Sequence, residues 1–554
     1  MHDQLQDDAL LNSKRKHTQR LLKWKLRGKE KPIWEFYEMV STLGSGAFGT
    51  VQKWRLKQVA HDDDPHVAVK HIRWSDISGG IFRSREAEKV VRNELKMLLV
   101  LDHPFIVKFR EWFEHPCLGI FFVMELCTGR PLQGILEDVC NGESLQERLT
   151  HTARLRRYFR ETVYAVSYIH SFKPPVVHRD LKPENVLLAD EAASSCVKII
   201  DFGLAVGNAN DGEHSRGMWR QGTPAFMAPE TFVSREGQFT PEMDVWALGI
   251  IFAWTVTTLQ RGKLLHPMLP EEGGEGYEVG QRELLYAYLE ERKWNRQLFE
   301  GQPSSAFDLA DKILVHASSD RPKAALILRA EWVRSGDPAA AASAQVLRNA
   351  NFKKNLETYA ELTPLEKTIL HVVAEKASDS DVKTLRRTFR AMDTNGDGRL
   401  CRAEITEGFR INDVELQPQT LEALFAELDD DKSDDITYHE WLAATMCRRV
   451  LQTPTAVGSA FSALDTSGNG VLTQEDLEVA IGQEEAEEVL KTMSTAVFEG
   501  NPALSFEDFK SIVEEMAGKR HGFMRTCNSM IGPTVSHSPT MEPALPHNRR
   551  ATIC

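Results

Sequence analysis

Three side chains in the middle of the chain have the residue types and the spacing that phosphoryl transfer requires. The segment 178–185 reads His-Arg-Asp-Leu-Lys-Pro-Glu-Asn, and the segment 201–203 reads Asp-Phe-Gly. A carboxylate at Asp180 can orient a hydroxyl group and accept its proton, while oxygen atoms of Asn185 and Asp201 suit Mg²⁺. Charge neutralisation and alignment contribute most to this kind of reaction. The pattern therefore predicts a catalytic base beside a magnesium site.

A glycine-rich turn nearer the N-terminus is a candidate site for the phosphates of a nucleotide. Residues 44–51 read Gly-Ser-Gly-Ala-Phe-Gly-Thr-Val, and Gly44, Gly46 and Gly49 would let backbone amides approach a triphosphate closely. The same glycine spacing also occurs in dinucleotide-binding folds and by chance. Here the next predicted strand ends at Lys70, which favours a phosphoryl-transfer site.

Lys70 would contact the α- and β-phosphates, and such a lysine needs a carboxylate that holds it in place. Glu94, in a helix predicted over residues 90–99, is suitably located. The alternative is a surface lysine and a solvated helix glutamate, which are common in any protein. Because the other motifs accompany them, we predict a Lys70–Glu94 pair.

Three acidic loops in the last third of the chain have the ligand spacing of calcium sites. They begin at Asp393, Asp429 and Asp465, each 36 residues after the one before, which indicates tandem helix–loop–helix units. The pattern places oxygen ligands at fixed loop positions and prefers glycine at position 6. The candidate ligands are Asp393, Asn395, Asp397, Arg399 and Glu404 in the first loop, Asp429, Asp431, Ser433, Asp435 and Glu440 in the second, and Asp465, Ser467, Asn469, Val471 and Asp476 in the third.

The three loops differ in how well they match this pattern. Cys401, at position 9 of the first loop, is a poor ligand for a hard cation, although that position often acts through water. Asp434 occupies the glycine position of the second loop, and aspartate tolerates the left-handed conformation. The third loop ends at the shorter Asp476, so we expect weak calcium binding or magnesium binding there.

A fourth unit aligns over residues 497–508, with Val497 and Pro502 at positions 1 and 6. These residues leave too few ligands, and we predict a metal-free partner. Leu504 matches Leu400, Ile436 and Leu472 at position 8, so we expect the fourth unit to form the short inter-loop β pair that stabilises such units in twos.

The chain is predicted to be an α+β protein, with a bilobal catalytic domain followed by an all-α domain. Strand patterns surround the glycine turn and helical patterns follow, so a small β-rich lobe and a larger helical lobe would enclose a cleft. The predicted boundaries are a basic extension at 1–33, the catalytic domain at 34–335, a junction at 336–378, the calcium-binding domain at 379–516 and a disordered tail at 517–554.

The junction is predicted to contain two helices. The second begins at residues 363–366, Thr-Pro-Leu-Glu, which read as a capping box. The first combines apolar and basic side chains, namely Phe352, Leu356, Tyr359, Arg348, Lys353 and Lys354.

Composition and charge exclude several classes of protein. Of the 554 residues, 42% are hydrophobic and 27% are charged, as in soluble globular proteins. The longest apolar stretch, 247–256, is shorter than the roughly 18 to 20 residues that span a bilayer, and we predict a buried helix. The net charge of −13 disfavours nucleic-acid binding. Eight cysteines without a C-x-x-C pair, and an N-terminus without an apolar leader, favour a cytoplasmic protein, which we expect to be monomeric.

Residues 14–31 are strongly basic and contain interleaved apolar side chains. We favour a solvated extension for this segment. Contact with an anionic membrane or with a partner is the alternative.

In their order and approximate spacing, the phosphoryl-transfer motifs resemble the eukaryotic protein kinase family over roughly residues 34–335. The resemblance implies an enzyme that needs ATP and Mg²⁺, with Lys182 as a catalytic residue that marks the serine/threonine subtype. It also implies that Glu230 pairs with Arg321 and that Asp244 braces the catalytic loop. The implied nucleotide pocket comprises Leu43, Gly44, Gly46, Gly49, Val51, Ala68, Lys70, Met124, Glu125 and Cys127.

One residue departs from the pattern of the similar kinases that prefer basic substrates. Those kinases usually have a glutamate after the hinge, where this chain has Pro131. Proline offers neither charge nor a side-chain hydrogen bond, although Glu184 remains a candidate reader of a substrate arginine. We therefore expect a weaker preference for basic substrates.

The order of kinase domain, basic junction and four EF-hand units resembles the calcium-dependent protein kinases of plants and protists, over residues 34–516. The resemblance implies ATP, Mg²⁺ and Ca²⁺ as ligands, protein substrates, and an intramolecular contact between EF-hands and junction. We favour release of inhibition as the mode of regulation, with bracing of the kinase as the alternative. Two other hypotheses are a catalytically silent calcium-responsive scaffold and a kinase whose EF-hands are only structural.

Overall fold

The computed structural model describes a β-rich lobe, a helical lobe and a second helical domain. The described residues are 31–46, 49–57, 66–74, 84–142, 144–192, 194–206, 222–233, 239–271, 275–276, 281–336, 359, 362–376, 379–411, 422, 425–429, 433–446, 454–465 and 467–514. Most of the predicted basic extension, the predicted tail, the basic junction residues Arg348, Lys353 and Lys354, and the candidate ligand Asp431 lie outside them.

A five-stranded antiparallel sheet forms the first lobe, with the strand order β1-β2-β3-β5-β4. The elements of this lobe are α1 (Ile33–Phe36), β1 (Tyr37–Gly46), β2 (Gly49–Leu56), β3 (His66–Ile72), α2 (Ser84–Val100), β4 (Phe109–His115) and β5 (Gly119–Glu125). β1 and β2 meet where Gly46 pairs with Gly49. A Cβ on Gly49, whose φ is +134°, would lie 2.5 Å from the carbonyl oxygen of His71. The glycine turn is therefore required for the close approach of β2 and β3.

The second lobe is helical and carries a small two-stranded sheet. Its elements are α3 (Leu132–Cys140), α4 (Leu145–Leu149), α5 (Thr152–Ser171), β6 (Val186–Leu188), β7 (Val197–Ile199), α6 (Pro229–Val233), α7 (Pro241–Arg261), α8 (Gln281–Leu289), α9 (Ser304–Ile313), α10 (Ala324–Ile327) and α11 (Glu331–Arg334). Among the described residues, α7 alone is long and apolar enough to cross a membrane, but 94% of its most apolar stretch is buried inside the protein. The prediction of a buried helix at 247–256 is therefore confirmed.

The second domain packs around its first helix, α12 (Pro364–Lys376), which belongs to the predicted junction. Its elements are α12 (Pro364–Lys376), α13 (Asp379–Met392), β8 (Arg399–Leu400), α14 (Arg402–Ile411), β9 (Ile436–Thr437), α15 (Tyr438–Thr445), α16 (Pro454–Leu464), α17 (Gln474–Ile481), α18 (Gln483–Met493), β10 (Ala496–Phe498), β11 (Asn501–Ala503) and a last helix at 506–514. Helix α12 begins at the predicted capping box, which is confirmed because the Thr363 amide donates to Glu366 at 2.9 Å and the Glu366 amide donates to the Thr363 hydroxyl at 3.3 Å. Ile369 and Val373 are fully buried where α12 packs against α15, α16, α17 and α18.

Short β contacts join the loops in pairs. Leu400 of the first loop pairs with Ile436 of the second, and Leu472 and Leu504 exchange backbone hydrogen bonds of 2.8 and 2.9 Å. The inter-loop β pair predicted for the fourth unit is therefore confirmed, and Leu472 is the partner of Leu504.

The fourth unit differs from an EF-hand loop. β10 and β11 form a hairpin in which Val497 pairs with Pro502, the residues aligned at positions 1 and 6. Glu499 and Gly500, between the strands, have φ values of +48° and +85°. Positive φ at both central residues is the geometry of a tight hairpin turn, so the fourth unit has a hairpin where the other three have longer loops. Its predicted lack of a bound metal stays a prediction.

The second domain lies against the first. The ammonium group of Lys108, just before β4, donates to the carbonyl oxygen of Ala374 in α12 at 2.7 Å. The amide of His439 in α15 donates to Asp102 at 3.0 Å. These two bonds place the end of the junction helix and the second loop beside the segment that leads into β4.

Candidate active site and calcium loops

A buried ion pair lies at the back of the cleft between the two lobes. The Lys70 ammonium is 2.6 Å from Glu94 and 3.0 Å from Asp201. Burial alone would lower the pKa of Lys70, but the negative charges of Glu94 and Asp201 outweigh burial and raise it above the usual value. The predicted Lys70–Glu94 pair is confirmed, and Lys70 is a fixed cation at the end of β3.

The side chain of Asp201 is more accessible than those of its two partners. Its relative exposure is 39%, against 10% for Lys70 and 3% for Glu94. Burial opposes ionisation of Asp201, but the Lys70 charge lowers its pKa below the usual value. Asp201 is therefore an ionised carboxylate that faces the cleft, which fits its predicted role as a magnesium ligand.

The catalytic loop holds its predicted members together. The Asn185 amide donates to the Asp180 backbone carbonyl at 2.8 Å and to its carboxylate at 3.1 Å. The Lys182 ammonium is 3.0 Å from the same carboxylate. Asp180, Lys182 and Asn185 thus form one cluster, and Asp180 has a fixed orientation.

Thr223 is a member of this cluster that the sequence motifs did not identify. Its backbone amide and its hydroxyl donate to Asp180 at 3.0 and 3.1 Å, and its hydroxyl accepts from Lys182 at 2.7 Å. Thr223 precedes a short 3₁₀ turn, Pro224–Phe226, that positions it. Its place five residues before the Ala228-Pro229-Glu230 segment is the only sequence signal. Thr223 therefore helps to orient the candidate base from the segment that follows the Asp201-Phe202-Gly203 motif.

One buried contact holds the catalytic loop in place, and a second holds the 228–230 segment. The Asp244 carboxylate accepts the backbone amides of His178 at 2.8 Å and Arg179 at 3.0 Å. The Arg321 guanidinium binds both oxygens of Glu230 at 2.7 and 2.8 Å. Both predicted contacts are confirmed.

Several residues of the predicted nucleotide pocket lie on neighbouring strands of the five-stranded sheet. Ala68 of β3 lies opposite Met124 of β5, and Val51 of β2 lies opposite Lys70. Leu43 is 51% exposed on β1. A Cβ on Gly44 would meet no atom within 4 Å, so the turn leaves open space above the cleft. This arrangement fits a nucleotide whose phosphates approach Lys70.

Two hinge residues of the predicted pocket have different surroundings. The Glu125 carboxylate accepts the Lys108 backbone amide at 2.7 Å and pairs with Lys198 at 2.9 Å. Its side chain therefore faces the interior rather than the cleft. Because its backbone amide donates to the Lys108 carbonyl at 2.9 Å, its backbone carbonyl is the group left for a nucleotide. Cys127 is half-buried beyond it.

Pro131 begins α3 and makes no side-chain capping bond. Beside it, the exposed guanidinium of Arg130 pairs with the carboxylate of Asp138. The position where related kinases carry an acidic reader therefore holds a neutral side chain next to an ion pair. The predicted weak preference for basic substrates stays a prediction.

The first calcium loop, 393–404, turns its carboxylates inward. Asp393 accepts the amides of Gly396 at 2.7 Å and Gly398 at 3.0 Å. Glu404, at the far end, accepts the amide of Thr394 at 2.9 Å. Gly396 and Gly398 have φ values of +72° and +74°, which explains why glycine occupies both positions.

The side chains of the first loop fit a calcium ion. The Asn395 side chain accepts the backbone amide of Asp397 at 2.8 Å, and the Asp397 carboxylate accepts the backbone amide of Arg399 at 3.0 Å. Burial, and then the charges of Asp397 and Glu404, raises the pKa of Asp393 well above the usual range. Within the described residues no three His, Cys, Asp or Glu side chains converge tightly enough to hold a metal by themselves. The loop combines the carboxylates of Asp393, Asp397 and Glu404 with the amide oxygen of Asn395, and such an all-oxygen donor set suits Ca²⁺.

The second and third loops repeat this geometry in part. Asp429 accepts the amides of Ser433 at 2.8 Å and Asp434 at 2.9 Å, and Asp434 has a φ of +67° as predicted. The Asp435 carbonyl oxygen accepts the Ser433 hydroxyl at 2.9 Å. Glu440 caps α15 by binding the Thr437 amide at 2.8 Å.

In the third loop, 465–476, Asp465 accepts the amides of Asn469 at 3.1 Å and Gly470 at 2.9 Å. Asp476 accepts the Ser467 amide at 3.3 Å, so the short side chain still reaches across the loop. The Ser467 hydroxyl contacts Asp465 at 3.2 Å. The Val471 amide donates to Asn469 at 3.0 Å, so the third loop is held by the same kind of side-chain-to-amide bonds as the first.

Comparison with known proteins supports both domains. The protein kinase domain family matches residues 37–333, and an EF-hand domain pair matches residues 382–446. Calcium-dependent protein kinase 22 of Arabidopsis thaliana is 28% identical, with 81% of this chain and 84% of the relative covered. Calcium-dependent protein kinase 7 of Oryza sativa subsp. japonica is also 28% identical, over 82% of this chain and 78% of the relative. Calcium-dependent protein kinase 3 of Plasmodium yoelii yoelii is 27% identical, over 80% of this chain and 74% of the relative.

The first domain is therefore a protein kinase domain on a bilobal fold, and an EF-hand domain follows it in the same chain. The described geometry and the family match agree over more than half of the sequence. The chain belongs to the protein kinase family, and its two-domain organisation is similar to that of the calcium-dependent protein kinases.

Proposed function

We propose that the chain transfers the γ-phosphate of ATP to serine or threonine side chains of proteins, and that calcium binding to its EF-hand loops regulates this activity in cis. The single observation that carries the proposal is the formed cluster of Lys70, Glu94 and Asp201 in a chain whose EF-hand domain contacts the kinase domain. The names of the relatives, which are calcium-dependent protein kinases, support the same conclusion.

In the proposed reaction each clustered residue has a separate task. When bound, ATP and Mg²⁺ supply the phosphoryl group and neutralise its charge. Asp201 and Asn185 would hold the metal, and Lys70 would bind the phosphates while Glu94 keeps it in place. Asp180, oriented by Lys182 and Thr223, accepts the hydroxyl proton of the substrate.

The junction helix α12 is the proposed link between the domains. Its apolar residues Ile369, Leu370, Val372 and Val373 are fully buried within the EF-hand domain. Its last turn accepts the hydrogen bond from Lys108 in the kinase domain. A change in the EF-hand helices would therefore move the end of α12 against the segment that precedes β4.

Two modes of regulation follow from this link. In the first, Arg348, Lys353 and Lys354 occupy the substrate groove at rest and calcium withdraws them, which is the mode that the sequence favours. In the second, the calcium-bound domain braces the kinase, and the bonds from Lys108 to Ala374 and from His439 to Asp102 support that mode.

Phosphate transfer from radiolabelled ATP to a peptide panel, measured across a calcium titration, tests the proposal. The full-length protein should be more active with calcium than with a chelator. A catalytically silent scaffold would show no phosphate transfer at any calcium concentration. A kinase whose EF-hands are only structural would transfer phosphate at the same rate with and without calcium.

A truncated chain that ends at Gly336 separates the two modes. Activity without calcium would support release of inhibition, because the blocking segment is gone. A folded truncated kinase that binds ATP but stays inactive would support bracing.

A further inference from the structure

The first calcium loop also serves as a contact surface for the kinase domain. A Cβ on Gly396 would lie 2.4 Å from Cδ1 of Leu328 and 3.5 Å from the ring of Tyr164. A Cβ on Gly398 would lie 2.5 Å from the ring of Tyr168. The backbone of the loop therefore packs directly on helix α5 and on the residue that follows α10, without space for another side chain.

The kinase side of this contact is rigid. The Tyr168 hydroxyl accepts the Asp102 amide at 3.0 Å, and its ring stacks on His103 with centroids 4.9 Å apart. Asp102 in turn accepts the amide of His439 from the neighbouring loop. A fixed aromatic surface therefore faces both loops of the first EF-hand pair.

Polar contacts surround the apolar one. The Ser171 hydroxyl donates to the backbone carbonyl of Asp397 at 3.4 Å. The Arg390 guanidinium lies 3.7 Å from Glu161 and 5.5 Å from the centre of the Tyr164 ring. The loop and the helix before it are thus held against α5 on two sides.

The third loop meets the first domain at its fourth position, where a Cβ on Gly468, the counterpart of Gly396, would lie 3.0 Å from the ring of Phe36 in α1 and where the Lys31 ammonium donates to the Gly468 carbonyl oxygen. Its sixth position differs from that of the first loop. Gly470 occupies the same loop position as Gly398, and a Cβ there would meet no atom within 4 Å. In the second loop Asp434 occupies that position, with 79% of its side chain exposed. Among the three loops, therefore, only the first has its sixth position closed off by the kinase domain.

The same two glycines carry both functions of the first loop. Their amides bind the Asp393 carboxylate in the conformation that a calcium ion needs, and their α-carbons fit the surface of α5. We infer that docking on the kinase domain pre-organises the first loop, so that docking raises its calcium affinity and calcium binding in turn strengthens docking. Such coupling is reciprocal by thermodynamic necessity. This inference rests on the proposed calcium regulation and names the loop and the kinase surface that carry it.

Leu328→Trp in the full-length protein tests the inference. The added volume cannot be accommodated against Gly396 and should push the loop off α5. Leu326→Trp is the matched control, because Leu326 is two residues away and 52% exposed. Hydrogen exchange of peptides covering 393–404 and 465–476, followed across a calcium titration, gives a separate midpoint for each loop.

We expect Leu328→Trp to raise the calcium midpoint of the first loop by about fivefold or more. The midpoint of the third loop should stay within about twofold, and Leu326→Trp should change neither. Exchange of peptides from α5 should also increase in Leu328→Trp without calcium. If tryptophan lowers the melting temperature of the kinase domain, Leu328→Ala removes the contact without added volume and should give a smaller shift in the same direction.

An unchanged midpoint for the first loop in both variants at position 328 would overturn the inference, while calcium regulation itself would stand. Equal shifts in both loops, or an equal effect of Leu326→Trp, would also overturn it. If the first loop failed to respond to calcium in every variant, the proposed function would fail instead.

Discussion

In the catalytic cleft, carboxylates are held by cations from distant parts of the chain, whereas in the calcium loops they are held by backbone amides of the same loop. Lys70, Glu94 and Asp201 come from three separate parts of the chain, namely β3, α2 and the loop after β7. Asp393 accepts amides only three and five residues ahead of it. The cleft therefore exists only when both lobes are folded and aligned, whereas each loop can form its site locally and gain further order from its neighbours.

This difference predicts how each region fails. Loss of one partner in the cleft leaves a buried charge without compensation, so function should be lost almost completely. Loss of one oxygen in a loop removes part of a ligand set and should shift an affinity by a graded amount.

The largest effect is expected for Asp201→Asn and Lys70→Met. The neutral amide cannot supply the charge that binds the metal, and methionine cannot bind the phosphates, so transfer should fall to below about 1% of the wild-type rate. The residual rate of each variant is measured as transfer of radiolabelled phosphate at saturating calcium. Calcium binding should be unchanged in both variants, and appreciable turnover by a folded Asp201→Asn protein would refute the assigned role.

Thr223→Val should lower the catalytic rate constant by about 10- to 100-fold, because Asp180 loses a hydrogen bond that orients it. Thr223→Ser keeps the hydroxyl and should retain most of the activity. The affinity for ATP should stay the same in both variants. If valine and serine gave equal rates, the Thr223 hydroxyl would have no part in orienting Asp180.

A graded effect is expected in the loops. Glu404→Gln and Glu440→Gln each remove a charged ligand and should raise the calcium concentration for half-maximal activity roughly tenfold, equivalent to about 1.4 kcal/mol. Asp508→Asn is the matched control, because Asp508 caps its helix through Ser505 in the same way but follows the hairpin of the fourth unit. Calorimetric calcium titration provides the second measurement, and equal shifts in all three variants would contradict the ranking of the loops.

The same contrast explains which features could be predicted from the sequence. The capping box at Thr363, the left-handed Asp434 and the inter-loop β pair of the fourth unit depend on a few neighbouring residues or on a repeated pattern, and all were predicted. The motifs of the cleft were also predicted, because they resemble a known family in order and spacing. The hairpin inside the fourth unit was not predicted, because the repeat alignment took no account of the tight turn at Glu499 and Gly500.

The contacts between the domains could not be predicted in this way. The bonds from Lys108 to Ala374 and from His439 to Asp102 join segments more than 260 residues apart. No local pattern marks either residue as a contact, since lysine and aspartate side chains are common on any surface. Thr223 was missed for a related reason, because its bond to Asp180 depends on how the activation segment folds back on the catalytic loop.

The smallest effect is expected for the preference between substrates, because the wild-type chain already has a neutral residue, Pro131, where an acidic one would read a substrate arginine. Pro131, the residue just before α3, has no carboxylate, and the neighbouring Arg130 is paired with Asp138. An arginine three residues before the target serine should therefore improve kcat/KM by less than about threefold, a difference below roughly 0.7 kcal/mol. Paired peptides with arginine or alanine at that position measure the ratio of the two kcat/KM values.

Pro131→Glu places an acidic group at the start of a helix, where it is electrostatically tolerated, and should increase this ratio. A strong arginine requirement in the wild-type protein, unchanged by Pro131→Glu, would show that another carboxylate, with Glu184 as the first candidate, reads the substrate.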